Sequence, residues 1–324
     1  MRKIIIPLTF ISLIFSSCKT SPVEKNNTKI TSSARSLTVS ETSSDSEKIK
    51  FYFPSFMTYD EKSKKEKMVS GDGIIIILPD GKVMMVDSFE VEAREDLVNF
   101  LKSLGIKRID YFFASHNHSD HIGGVPALFE NFEIENYYWN GANFSTKIDK
   151  EVSDLFINSK TKVQVIHQGD SLILCDNPLC KIDVLWPNLT EEIIHDAYYN
   201  PGKTQKLKNN TSLVFKLIYK DFTALFTGDV YKDGDKAITR MYKDNLHVTL
   251  LKVPHHGEFY TANSPAFVKA ISPEIAVIQD NRYINFVISS IYRRVKAKLL
   301  YRNSGGYILV QSNGTEYSVE QYSF

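Results

Sequence analysis

The stretch "SHNHSDHIGG" at 115–124 places His116, His118, Asp120 and His121 almost side by side. Imidazole nitrogens and carboxylate oxygens are the donors that a borderline divalent ion such as zinc prefers. Left without a cation, so many His and Asp groups would suffer desolvation and mutual repulsion. A polar surface loop is the plain alternative, but the preceding "IDYFFA" (109–114) reads as a buried strand. The cluster therefore stands where a core strand ends, and it reads as a metal centre. Gly123 and Gly124 are expected to let the backbone turn tightly beneath it into a helix.

The elements that must position this loop are also visible. "IIIIL" (74–78) and "VMMV" (83–86), joined by "PDGK", read as a hairpin. "VEAREDLVNFLKSLG" (91–105) carries Leu97, Val98, Leu101 and Leu104 on one helical face, with Gly105 at its C-terminus. Further strands are expected at 163–166, 171–175, 181–186, 212–219, 222–227, 247–253, 274–279 and within 298–320. Helices are expected at 124–130, 230–243, 264–271 and 286–297. Strands with helices between them suggest two sheets covered by helices, an α/β architecture.

The N-terminus reads as an address. Arg2 and Lys3 precede the apolar-rich residues 4–17, too short a run to span a membrane. "FSSC" then places Cys18 after two small residues and resembles a bacterial lipoprotein signal. Residues 1–17 are expected to be a signal peptide, Cys18 the lipidated residue, and 18–48 a flexible tether poor in large apolar residues. One globular domain is expected at 49–324, in an extracytoplasmic, membrane-anchored lipoprotein. The 324 residues carry a net charge of +1, which announces neither a nucleic-acid nor a membrane-surface binder. Their 43% apolar and 12% aromatic content supports a buried core.

"SHNHSDHIGG" resembles the HxHxDH signature of the metallo-β-lactamase superfamily. "VMMVDS", "NNTSLVFKL" (209–217), "FTGDV" (226–230) and "LKVPHHGE" (251–258) resemble its other motifs in the same order. Within the superfamily, "GDGIIIILPDGKVMMVDS" and "SPEIAVIQDNRY" are similar to the hydrolase domain of competence DNA-uptake channels. The resemblance implies a four-layered αββα sandwich with metals at one edge between the sheets. It implies that His116 and His118 hold one ion, that Asp120, His121 and His256 hold another, and that Asp229 bridges both. Asp120 and Asp229 would be the catalytic carboxylates, with Asp87 bracing the ligand loop. His255 would be second to His256, as a support or substrate contact. Where many members have a middle histidine, Asn209 or Asn210 stands here; His167 and His195 are poorer candidates. One or two zinc ions are expected, or manganese.

Paired ions about 3.5–4 Å apart lower the pKa of a shared water toward neutrality. The expected reaction is therefore ester hydrolysis, foremost of a phosphoester in a small molecule or polymer, DNA included, with membrane contact through the lipid anchor only. A weakened metal-binding scaffold, or a hydrolase of a non-phosphate ester, lactone or β-lactam, are the alternatives. The basic run 292–302 and the aromatics Tyr198, Tyr199, Phe259 and Tyr260 are weaker pointers to substrate. Glu258 would add negative charge at the rim. Cys175 and Cys180, flanking "DNPL", are expected to face each other in a hairpin and form a disulfide.

Overall fold

The computed structural model describes residues 47–176, 178–188, 201–279 and 284–324. Signal, Cys18, most of the tether, His195, Tyr198 and Tyr199 lie outside the described residues. Among the described residues no helix is long and apolar enough to cross a membrane.

The described residues form seventeen strands, most of them in two sheets. The first sheet holds eight, in the order β17(Tyr317–Tyr322), β16(Gly306–Ser312), β1(Ile49–Ser55), β4(Ile74–Ile77), β5(Val83–Val86), β6(Arg108–Phe113), β7(Glu133–Trp139), β8(Lys162–Val165). The second holds seven: β15(Lys298–Leu300), β14(Ile275–Val277), β13(Leu250–Lys252), β12(Phe222–Phe226), β11(Val214–Tyr219), β10(Leu179–Trp186), β9(Ser171–Asp176). Strands β2(Met57–Asp60) and β3(Lys65–Met68) form a separate ribbon.

Side-chain alternation along the strands builds the layers. Ile74 and Ile76 of β4, Met84 and Val86 of β5, and Phe215 and Leu217 of β11 point into a core between the two sheets. Ile75, Val83 and Met85 point the other way, against helices α1(Arg94–Ser103), α3(Val125–Asn131) and α4(Lys147–Phe156). Val214 and Leu225 face α6(Lys232–Tyr242), α7(Pro265–Ile271) and α8(Phe286–Arg294) on the far side. The short α2(Ser119–Ile122) and α5(Pro201–Asn210) belong to the functional edge. The result is the four-layered αββα sandwich of the metallo-β-lactamase fold.

Both sheets run parallel where it matters: β5–β6–β7 in one and β12–β13–β14 in the other. Their carboxyl ends meet at one edge, where open α/β sheets present ligand sites. Leu213 N–H donates to the Ser115 carbonyl at 2.7 Å, tying the entry to β11 onto the end of β6.

Two expectations are corrected. Gly123 and Gly124 have ordinary helical dihedrals (φ −61° and −80°), so no special turn requires them. They allow close approach instead: a Cβ on Gly123 would lie 2.4 Å from Ser119 O, and one on Gly124 2.2 Å from Ser88 O. Cys175 and Cys180 do pair across β9–β10, but both are free, buried thiols. Leu179 pairs with Asp176 beyond them, so the connection is tighter than the four-residue loop expected, and the Cys175 thiol donates to Pro178 O at 3.2 Å. Burial pushes both thiols up.

Phe215 stacks on Phe226 and packs against Phe113 across the two sheets, with ring centroids 5.0 Å away in each case. Phe215→Ala should cost about 3–5 kcal/mol, because a site closed by two sheets collapses poorly. Urea denaturation followed by circular dichroism checks this; a loss under about 1 kcal/mol would contradict the inter-sheet core.

Candidate metal centre

The centre is built at strand ends. Asp87 directly follows β5 with a positive φ of 59°, its N–H held by Phe113 O at 3.0 Å. Its carboxylate is buried beneath the His/Asp loop and accepts from Ser115 N–H (2.7 Å), Ser115 Oγ–H (2.7 Å) and His121 Nδ1 (2.9 Å). These bonds fix the imidazole tautomers. The Ser115 hydroxyl has one proton and gives it to Asp87, so His116 Nδ1, 3.0 Å from Ser115 Oγ, must be a donor. Both Nε2 atoms thereby face the centre, that of His116 with its lone pair and that of His121 with the proton a metal would displace, as a carboxylate behind a ligating histidine arranges in metal sites.

His116 Nε2 and His118 Nδ1 converge to 2.8 Å, and Asp229 stands with them in one group of donor atoms. A second group joins His121, His256, Asp72 and the same Asp229. Asp229 Oδ2 lies 3.2 Å from His121 Nε2 and 3.3 Å from His256 Nε2. Asp120 Oδ2 lies 3.5 Å from His256 Nε2 and 3.9 Å from His121 Nε2, on the more open side. Asp120, Asp229 and the four histidines His116, His118, His121 and His256 are thus brought together. The His121 Nε2, His118 Nε2 and Asp229 Oδ1 atoms are buried without a hydrogen-bond partner. A nitrogen and oxygen donor set with such orphaned atoms fits a zinc or manganese ion.

Position separates the two histidines of "PHHG". Both adopt left-handed backbone conformations (φ 46° and 51°), a strained arrangement of the kind stored at functional sites. His256 sends Nε2 toward Asp120 and Asp229. His255 bonds Thr261 Oγ1 through Nδ1 at 2.8 Å and keeps Nε2 3.9 Å from Asp229. The middle-motif asparagines separate too. Asn210 is structural: its Oδ1 accepts Gly234 N–H at 3.1 Å, and its carbonyl accepts the Trp186 indole at 2.6 Å. Asn209 lies in the last turn of α5 with its Oδ1 buried and unpartnered. His167 is exposed, away from the cluster's buried setting. Glu258 accepts from Thr261 N–H and Oγ–H within its own loop.

Sequence reasoning missed Asp72 and Lys252. Asp72 lies just ahead of β4, with its N–H on Asp120 O at 3.1 Å. The preceding Gly71 (φ +103°) permits this, since a Cβ there would fall 1.7 Å from Asp120 O. Asp72 Oδ1 is 3.4 Å from His256 Nδ1, behind that ring as Asp87 is behind His121. Its Oδ2 pairs with Lys252, whose Nζ also donates to Gly228 O at 3.0 Å and stands 3.6 Å from Asp229 Oδ1. Lys252 is 2% exposed. The signal was present: "SGDGI" opens a strand with the same Gly-Asp pair that "FTGDV" carries. Ser212 was missed as well; its Oγ accepts Asp229 N–H at 3.0 Å and lies 3.4 Å from His116 Nδ1.

The electrostatics follow from this packing. Burial alone would raise Asp229 and Asp72, yet His256 and His121 beside the first, and Lys252 beside the second, hold both carboxyls below the usual range. Burial works against charge on His121 and His256, but Asp229 and its neighbouring carboxylates hold both imidazoles protonated well above the usual range. Burial and the neighbouring His121 charge push His116 well down and His118 to about 4.

Residues 73–144 match the metallo-beta-lactamase superfamily, a stretch that holds Asp87 and His116–His121 but ends before Asp229 and His256. The chain is 26% identical over 222 residues to ComE operon protein 3 of Bacillus subtilis (strain 168), covering 68% of this chain and 26% of that protein. It is 22% identical over 211 residues to Competence protein ComA of Neisseria gonorrhoeae, covering 64% and 26%. It spans about a quarter of the length of the curated relatives it matches. Among solved structures, a diphosphatase from the PhnP family aligns with a TM-score of 0.46 at 13% identity, over 80% of this chain and 96% of that one. Zn2+-bound PqqB from Methylobacterium extorquens aligns at 0.45 and 11%, over 72% and 86%. The superfamily match covers the loop that carries His116–His121, and the metal-type donors gathered around that loop sit in a metallo-β-lactamase-like fold.

Two outcomes are expected of this centre. Lys252→Met strands a buried carboxylate and should destabilise the fold by about 3–5 kcal/mol, and adding Asp72→Asn should recover most of it. Asp72→Asn alone should weaken zinc affinity by about 10–100-fold in a chelator competition. Equal stability of Lys252→Met and the double variant would contradict the coupling. Because His121 and His256 hold protons that a metal must displace, zinc uptake at neutral pH should release protons and strengthen as pH rises. Calorimetry in buffers of different ionisation enthalpy reads this directly; a buffer-independent heat would contradict it.

Proposed function

We propose that the chain is an extracytoplasmic, metal-dependent phosphoesterase that cleaves phosphodiesters in nucleic acid or a surface phosphopolymer. The observation that carries this reading is the convergence of His116, His118, His121, His256, Asp120 and Asp229 on one sheet edge around buried, unpartnered donor atoms. Bound there, one or two zinc or manganese ions would supply an activated water and neutralise charge on the phosphoryl oxygens. His116, His118 and Asp229 would hold one ion; Asp120, His121, His256 and Asp229 the other.

The protein's own groups do the rest. Asp87 and Asp72 keep His121 and His256 turned so that Nε2 faces the centre. Asp120, ionised and more open to solvent than Asp229, would orient the attacking water through Oδ2. Thr261 Oγ donates to Glu258, so His255 Nδ1 must donate to Thr261, leaving an Nε2 lone pair. Burial keeps that ring neutral, so His255 would accept a hydrogen bond from substrate rather than protonate a leaving group. The two competence-protein matches favour a nucleic-acid phosphodiester among the substrates. The apolar 4–17 run and Cys18 support a lipid-anchored location.

The zinc- or manganese-loaded protein should hydrolyse bis(p-nitrophenyl) phosphate and single-stranded DNA or a phosphorylcholine ester. Asp120→Ala with Asp229→Ala should abolish turnover while leaving the circular dichroism spectrum unchanged. Retained turnover in that variant, or wild-type hydrolysis confined to lactones or β-lactams, would sink the phosphoesterase reading. Cys18→Ser should free the protein from membranes; unchanged tight association would contradict the anchor.

A further inference from the structure

A cavity of about 640 Å³ opens beside His118, between the loop after β6, the start of α4 and the end of α5. Most polar side chains on its wall are already engaged. Asn117 Nδ2 donates to Ala142 O, Ser119 Oγ to Glu90, and Thr146 Oγ1 to Asp149. Arg94 is neutralised by Glu151 at 2.8 Å and also donates to Gly123 O.

Lys208 differs. It is 5% exposed, its ammonium lies 5.0 Å from the Phe144 ring centroid, and no carboxylate of the described residues reaches ion-pair distance. Asp149 is the carboxylate whose field reaches it, but that group caps α4 by accepting Thr146 N–H and Oγ–H. Burial accordingly lowers the Lys208 ammonium. A cation buried without an anion is costly, and here it borders a cavity that also touches His118. His118 Nε2 is likewise buried without a partner.

We propose that Lys208 and the cavity at His118 form an anion subsite for a second phosphate of the substrate, the one flanking the scissile phosphodiester. This rests on the phosphoesterase reading and deepens it: the subsite selects chains of phosphodiesters over isolated ones. Lys208 supplies the charge, and the engaged groups around it hold the wall rigid. A lone diester gains nothing from the subsite.

The test has a binding arm and a kinetic arm. In chelator, so that no metal contributes, fluorescently labelled oligothymidylate and poly(glycerol phosphate) are titrated against the full-length wild-type protein, Lys208→Met and Lys208→Arg. At least one polymer should lose about tenfold in affinity with Lys208→Met and recover it with Lys208→Arg; which one responds identifies the source of the phosphate. For oligothymidylate, the salt slope should also fall by about 0.7, one contact's worth. In the kinetic arm, Lys208→Met should raise KM for the responding polymer about tenfold at unchanged kcat, leaving bis(p-nitrophenyl) phosphate unaffected. Unchanged affinity for both polymers, or equal losses on polymer and lone diester, would overturn the subsite. A wild type that binds polymer through Lys208 yet hydrolyses no phosphoester would refute the phosphoesterase reading and leave the anion site standing.

Discussion

Everything at this edge depends on one buried carboxylate. Asp87 takes a backbone N–H, a hydroxyl and an imidazole, and through the hydroxyl it also dictates the state of a second imidazole. Desolvation raises its pKa, and the His121 partnership opposes that rise. A carboxylate in this position commits Nδ1 of two histidines as donors and leaves Nε2 of each ring as the atom that faces the centre. Ligand residues alone would not achieve that, because an imidazole without a partner at Nδ1 is free to flip or change tautomer.

The same logic recurs at His256, with Asp72 in the supporting place and Lys252 behind it. Asp72, Asp87, Asp120 and Asp229 face a single buried lysine in this region. Their excess of negative charge is what makes divalent cations the natural occupants, and what holds protons on His121 and His256 in their place. Lys252 offsets part of the charge permanently. Asp72 is thereby kept ionised, as His256 and His121 keep Asp229, within a core that would otherwise protonate both.

Some elements were legible because their chemistry is local. The β4–β5 hairpin follows from β-branched runs around "PDGK", and α1 from its apolar face. Others were not. Strand β7 ("EIENYYW") mixes charge with aromatics, and its pairing with β6 and β8 overrides a weak pattern. Helix α4 opens on the capping box of Thr146 and Asp149, where Asp stands in for the usual Glu or Gln. The glycines after the ligand loop were read as turn residues. Their dihedrals are helical, and only the proximity of Ser88 and Val91 shows why a side chain is excluded there.

By itself the sequence determined the donor set: imidazole and carboxylate in one loop, a later Gly-Asp, and a late histidine pair, all at the ends of apolar strands. Spacing along the chain is sufficient for that, since strand ends in parallel sheets gather at one edge. The tertiary structure alone decided which groups are ligands and which are supports. His255 and His256 are neighbours of identical chemistry, separated only by what lies behind each ring: Thr261 for one, Asp72 for the other. Asn209 and Asn210 are separated by Gly234, whose N–H is accepted by Asn210 Oδ1 while Asn209 Oδ1 stays unpartnered. Asp72 and Lys252 are 180 positions apart and meet because β4 and β13 lie in different sheets that close on the same edge. No local pattern encodes such a meeting, because it follows from how two sheets pack rather than from either strand.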